Sequence, residues 1–155
     1  MSRFAIKRAV PEESMLESFA ARFAGHLRPP LVVYLEGPLG AGKTTFVRAL
    51  IRALGYSGRV KSPTYGLLER YECNDLSLLH LDLYRVEDEA ELEYLALRDL
   101  FAENTVLLIE WPGRGGRALP PADVELRFSA DVIDRTLTAT ACSPAGETLI
   151  SGVSG

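Results

Sequence analysis

The run Gly37-Pro-Leu-Gly-Ala-Gly-Lys-Thr44 sets glycines, a lysine and a hydroxyl at the spacing G-x-x-x-x-G-K-[ST], a pattern suited to gripping phosphate. Glycines allow successive backbone N–H groups to turn inward around an anion, and a helix starting at the lysine adds the positive end of its dipole. The residues expected to meet a nucleoside triphosphate are therefore Gly37, Pro38, Leu39, Gly40, Ala41, Gly42, Lys43, Thr44 and Thr45. Lys43 would reach the β- and γ-phosphates as a point charge, and the Thr44 hydroxyl would ligate Mg²⁺. The flanks agree with this. The apolar run Leu31-Val-Val-Tyr-Leu35 predicts a strand before the loop, and Phe46, Val47, Leu50, Ile51 and Leu54 at helical spacing, with Gly55 to end them, predict a helix after it. A glycine turn with no ligand is the competing reading, but it gives the lysine no packing role.

Two carboxylates stand where such a loop would use them. Leu78-Leu-His-Leu-Asp82 and Val106-Leu-Leu-Ile-Glu110 each end an apolar run in an acid, and in an α/β sheet that places the acid at the carboxyl edge, beside the phosphates. One would hold the metal and the other would orient or deprotonate water, so Asp82, Lys43 and Glu110 form the candidate catalytic set. An acid at a strand end can equally be a turn former. Lys61-Ser-Pro-Thr64 lies where nucleotide hydrolases sense the γ-phosphate. Pro63 restricts Ser62 to extended backbone and Thr64 offers a hydroxyl, which makes both switch candidates; an ordinary turn fits the same residues. Trp111, next to Glu110, is placed either to stack near a nucleotide or partner or to pack in the core.

The elements that must position these groups alternate. A strand near 4–8 leads through Pro11-Glu-Glu-Ser14 into a helix with Met15, Leu16, Phe19, Ala20 and Phe23 on one face. Strands are expected near 65–72 and 76–83, a helix across 88–101, and a buried strand at 105–109. Short strands follow at 124–128, 135–141 and 148–150, the last after a polar turn at Pro144-Ala-Gly-Glu147. The layout predicts an α/β fold of one domain over 1–155, with a mostly parallel central sheet and an antiparallel C-terminal part. With 155 residues, 47 % of them hydrophobic, a full core is available. Cys73 and Cys142 match no metal spacing and read as reduced thiols. No signal peptide or membrane-length apolar run is visible, so a soluble, cytoplasmic protein with no membrane contact is expected.

The net charge of −4 conceals an asymmetry. Residues 1–61 carry ten Lys/Arg against four acids, whereas 87–103 carry seven acids against Arg98 alone. The acidic stretch would repel a nucleic-acid backbone; it suits either a basic patch on a protein partner or simply water.

Five blocks in order, Gly37-Pro-Leu-Gly-Ala-Gly-Lys-Thr-Thr45, Val60-Lys-Ser-Pro-Thr-Tyr65, His80-Leu-Asp-Leu-Tyr-Arg85, Glu91-Leu-Glu-Tyr-Leu95 and Ile109-Glu-Trp-Pro112, resemble the bacterial TsaE (formerly YjeE) family. The resemblance implies a P-loop nucleoside triphosphate hydrolase-like, three-layer fold and a weak ATPase using ATP and Mg²⁺. It further implies docking to the threonylcarbamoyl-transferase TsaD and its partner TsaB in tRNA threonylcarbamoyladenosine synthesis, with tRNA contacted only through the complex. By that resemblance Lys43 binds phosphate, Thr44 and Glu110 hold Mg²⁺, and Asp82 serves the water or the metal's surroundings. Trp111 then lies near nucleotide or partner, and Arg135 and the 11–14 turn approach the nucleotide. Pro38 departs from the Asp usual in the family's loop. A small-molecule or nucleoside monophosphate kinase, with Arg114 and Arg117 mimicking a lid, and a nucleotide-gated scaffold without required hydrolysis are the other readings.

Overall fold

A computed structural model describes residues 4–61, 68–95, 97–131 and 133–155. Seven strands form one sheet: β1 (Ala5–Ala9), β2 (Leu31–Glu36), β3 (Leu68–Cys73), β4 (Leu76–Asp82), β5 (Thr105–Glu110), β6 (Val124–Phe128) and β7 (Thr136–Ala141), in the order β1-β7-β6-β2-β5-β4-β3. The fold is mixed α/β. The central strands β6, β2, β5 and β4 are parallel. Near-continuous apolar runs such as Thr-Val-Leu-Leu-Ile-Glu in β5, buried at every position, are what a strand covered on both faces requires.

Odd and even positions of β2 separate the two cores. Leu31, Val33 and Leu35 join Phe23, Phe46 and Leu50 beneath the helices α1 (Glu13–Gly25), α2 (Lys43–Ala53) and α4 (Pro144–Ser154). Val32 joins Leu79, Leu81, Leu92 and Leu107 on the other face, which is covered by the 3₁₀ segment Glu89–Leu95 and the short helix α3 (Leu97–Leu100). An aromatic cluster anchors α2 under the loop: Phe46 meets Phe23 edge-on at 5.5 Å and Phe128 at 6.0 Å.

Several expectations are corrected. Residues 148–150 are not a strand; they lie inside α4. Ser143 caps that helix by accepting a hydrogen bond from the Gly146 amide, Pro144 occupies its first turn, and Leu149, Ile150 and Val153 are buried at helical spacing. The antiparallel C-terminal part begins one strand later than expected, because β6 runs parallel to β2 and only β7 reverses. β1 and β3 are antiparallel edges as well. No single helix spans 88–101. Like charges at Glu87/Glu91 and Glu89/Glu93 stand four apart, where an α-helix would bring them together. Met15 is 45 % exposed, since it sits roughly 100° round α1 from the centre of the buried stripe. Residues 65–67 lie outside the described residues. Neither Cys73 nor Cys142 forms a disulfide, and no helix among the described residues is long and apolar enough to cross a membrane.

Candidate functional site

Parallel register brings the carboxyl ends of three strands to one edge. Asp82 of β4 is opposite Glu110 of β5, and Glu110 is opposite Leu35 of β2, two residues before Gly37. The loop 37–42 leaves β2 there and enters α2 at Lys43. Gly37 has φ 150°, and a Cβ on it would stand 2.8 Å from the Phe128 carbonyl oxygen and 2.9 Å from its Cβ. Gly42 has φ 109°, and its Cβ would meet Leu16 at 2.8 Å. The turn therefore needs glycine at both ends. The Ala41 amide donates to the Pro38 carbonyl at 3.2 Å, so the proline serves the turn through its backbone.

A cavity of about 380 Å³ opens at this edge. It brings together Leu39, Gly40, Ala41, Gly42, Lys43, Thr44 and Thr45 from the loop and α2, Asp82, Glu110 and Trp111 from the strand ends, and Arg135 from the approach to β7. Glu12, Glu13 and Leu16 form the wall by the 11–14 turn. Gly37 and Pro38 shape the loop without lining this cavity; Gly37 and Trp111 line a neighbouring pocket of about 280 Å³ with Glu36 and residues 112–114. Ser62 and Thr64 lie outside the described residues.

The Lys43 ammonium is the centre of the charge pattern. The residue is only 4 % exposed, its Nζ donates to the Gly37 carbonyl at 2.5 Å, and it stands 3.8 Å from the centre of the Trp111 ring. Burial lowers its pKa, and the nearby carboxylates of Glu110 and Asp82 oppose that shift. Asp82 is half-buried, and burial raises its pKa against the opposing hydrogen bond from the Tyr84 amide, 3.0 Å from Oδ1. Glu110, 3 % exposed, accepts from His80 Nε2 at 2.6 Å.

Trp111 is neither fully core nor fully free. Its backbone is left-handed at φ 59°, ψ 50°, an unusual conformation for so bulky a residue, and the Tyr84 ring packs against it at a tilt of 51° with ring centres 5.0 Å apart. The Arg114 guanidinium lies over the Tyr84 ring, 5.6 Å from its centre. Arg114 and Arg117, the lid candidates, sit in two 3₁₀ turns, Pro112–Arg114 and Gly116–Ala118, and the Arg117 amide donates to Glu89 at 3.2 Å.

Tyr84 and Arg85 on the cavity wall and His80 behind Glu110 were not singled out from the sequence. A histidine inside the otherwise apolar run 78–81 is a visible signal; its partner, thirty residues away, is not.

The oxygen-only set of Thr44, Asp82 and Glu110 suits a hard cation such as Mg²⁺, which takes one or two carboxylates and completes its shell with phosphate oxygens and water. Among the described residues no group of three His, Cys, Asp or Glu is placed to hold a metal.

The family model described as threonylcarbamoyl adenosine biosynthesis protein TsaE matches residues 10–137. The Haemophilus influenzae tRNA threonylcarbamoyladenosine biosynthesis protein TsaE is 37 % identical over 150 residues, covering 94 % of this chain and 95 % of that protein. Its Bacillus subtilis namesake is 37 % identical over 132 residues, covering 84 % and 81 %. The crystal structure of Bacillus subtilis YdiB matches with a TM-score of 0.82 at 27 % identity, over 99 % of this chain and 97 % of that one. Every residue lining the cavity, from Val10 to Arg135, lies inside the matched span, and the chain belongs to the TsaE family.

Proposed function

We propose that this protein binds and hydrolyses ATP with Mg²⁺ in tRNA threonylcarbamoyladenosine biosynthesis. It acts there as a nucleotide-dependent partner of the threonylcarbamoyl-transferase TsaD and its companion TsaB, and meets tRNA only through that complex. The observation that carries the reading is a buried ammonium, Lys43, at the head of a glycine-shaped loop and facing one cavity with two strand-end carboxylates. An ammonium withdrawn from water needs anions beside it; Glu110 and Asp82 supply part of that charge, and the glycine loop with the start of α2 suits the triphosphate proposed for the cavity.

Each residue then has a task. Loop amides and Lys43 hold the β- and γ-phosphates, while Arg135 and the wall at Glu12 and Glu13 border the rest of the nucleotide. Thr44 and Glu110 hold Mg²⁺, which when bound neutralises charge developing on the phosphate oxygens. Asp82, whose pKa is raised by burial, orients the attacking water and accepts its proton. Trp111 covers the lysine side of the cavity. Residues 61–64 carry the difference between ATP and ADP states to the partner.

The test is the affinity of the purified transferase complex for this protein with Mg²⁺-ATP and with ADP. Tighter binding in ATP, lost in Lys43→Ala together with support of repeated tRNA modification, is expected. Equal affinity in the two states, or a stoichiometric phosphorylated acceptor, overturns the proposal; the second result would favour a kinase.

A further inference from the structure

β4 reads Leu-Ser-Leu-Leu-His-Leu-Asp, and His80 sits in it where a leucine would pack. Its Nε2 is 2.6 Å from Glu110 Oε2, with the two side chains 3 % and 4 % exposed. A carboxylate only accepts, so the ring hydrogen is assigned to Nε2. The other ring nitrogen, Nδ1, is the one buried side-chain polar atom without a partner among the described residues. Leaving a buried polar atom unmet costs on the order of 1–3 kcal/mol. Packing therefore does not account for an imidazole at this position; the bond to Glu110 does.

The register explains how that bond is made. His80 is opposite Leu108 and Asp82 is opposite Glu110, so the imidazole reaches Glu110 diagonally, two residues beyond Leu108 on the same face of the sheet. Glu110 lines the cavity and His80 does not. The ring thus holds the carboxylate from behind, engaging Oε2 and leaving Oε1 outside the bond. A free glutamate side chain has three torsions to settle, and a ligand whose outer partner fixes its orientation loses less freedom on binding.

We propose that His80 is a positioning residue for Glu110, setting the orientation in which that carboxylate meets a divalent cation. This rests on the Mg²⁺-ATP reading of the cavity. His80 touches neither nucleotide nor metal; it acts through Glu110.

The test compares three substitutions. Gln carries an amide nitrogen near the place of Nε2, Asn carries one only near the place of Nδ1, and Leu carries none. His80→Leu and His80→Asn are expected to raise the Mg²⁺ concentration for half-maximal ATP hydrolysis about 10- to 100-fold. Calorimetric ADP affinity without Mg²⁺ should stay within several-fold of wild type, and His80→Gln should recover most of the loss. In a Glu110→Gln background, His80→Leu should add nothing. In the nucleotide-free protein, the ¹⁵N-labelled imidazole should show a slowly exchanging Nε2–H that shifts on Glu110→Gln. Equal defects in all three variants, an additive effect in the Glu110→Gln background, or a rapidly exchanging Nε2–H overturns the proposal. Should His80→Leu not fold, the Gln-against-Asn comparison decides. Wild-type hydrolysis indifferent to Mg²⁺ would overturn the reading of the cavity and this inference with it; Mg²⁺-dependent wild type with unshifted variants overturns the inference alone.

Discussion

Lys43, Asp82 and Glu110 are ionisable groups that the fold gathers at one edge of the sheet, and burial pushes Lys43 and Asp82 toward their neutral forms. Burial raises the Asp82 pKa. Across the interval between the ordinary and the raised value the folded protein holds more protons than the unfolded one, so its stability falls as pH rises through that interval. At neutral pH the charge is a penalty. Asp82→Asn, which keeps the oxygen that accepts from Tyr84, should therefore raise the melting temperature at pH 7 while slowing hydrolysis. The gap in melting temperature should shrink as pH falls and close below the usual carboxylate value of about 4. Glu110→Ala should slow Mg²⁺-dependent hydrolysis by about 10²-fold or more, with Mg²⁺-free nucleotide binding within several-fold of wild type, as read by steady-state kinetics and calorimetry. Full activity in that variant would remove Glu110 from the site. The loop and both strand-end acids were legible because each is announced by its own neighbours. Pro38 was legible as a residue but not as a shaper of the turn, because its part is played by a carbonyl.

At the scale of elements, short polar stretches misled where long apolar ones did not. Leu31–Glu36 and Thr105–Glu110 are strands of the expected length and burial. Thr148, Leu149 and Ile150 are too short a run to distinguish a strand from a helix. The deciding contacts come from Asp123, whose Oδ1 accepts from the Ser143 hydroxyl at 2.6 Å while its Oδ2 accepts from the Val32 amide at 2.8 Å. One side chain thus ties the start of α4 to the second residue of β2. Ser143→Ala removes both the helix cap and that tie, and should cost about 1–2 kcal/mol, lowering the melting temperature by roughly 2–8 °C for a chain of this size without changing ATP hydrolysis per folded molecule. A melting temperature within 1 °C of wild type would show that the cap carries little. The edges of the sheet were also hidden from the sequence, since the direction of a strand is set by its partner and not by its own residues.

For the molecule as a whole, charge separates two regions. Glu87, Glu91 and Glu93 are exposed, whereas Glu89 and Asp88 accept from the backbone amides of Arg117 and Ala90. Replacing the three by lysine should slow association with the transferase complex, with a steep salt dependence in stopped-flow measurements and no change in intrinsic hydrolysis. An association rate unchanged at low salt would mark the segment as a solvated face only. The cavity, in contrast, draws its walls from both halves of the sheet: Asp82 and Glu110 stand on one side of β2, and Val10 and Arg135, joined by an amide-to-carbonyl bond of 2.8 Å, on the other. β1 is an edge strand with only β7 beside it, and edges fray before centres do. Each time β1 peels away, one wall of the cavity goes with it. A molecule bound there closes the breach, so amide exchange in residues 5–10 should slow on adding Mg²⁺-ATP, far from the lysine that holds the phosphates, and the outermost strand becomes a gauge of occupancy at the centre.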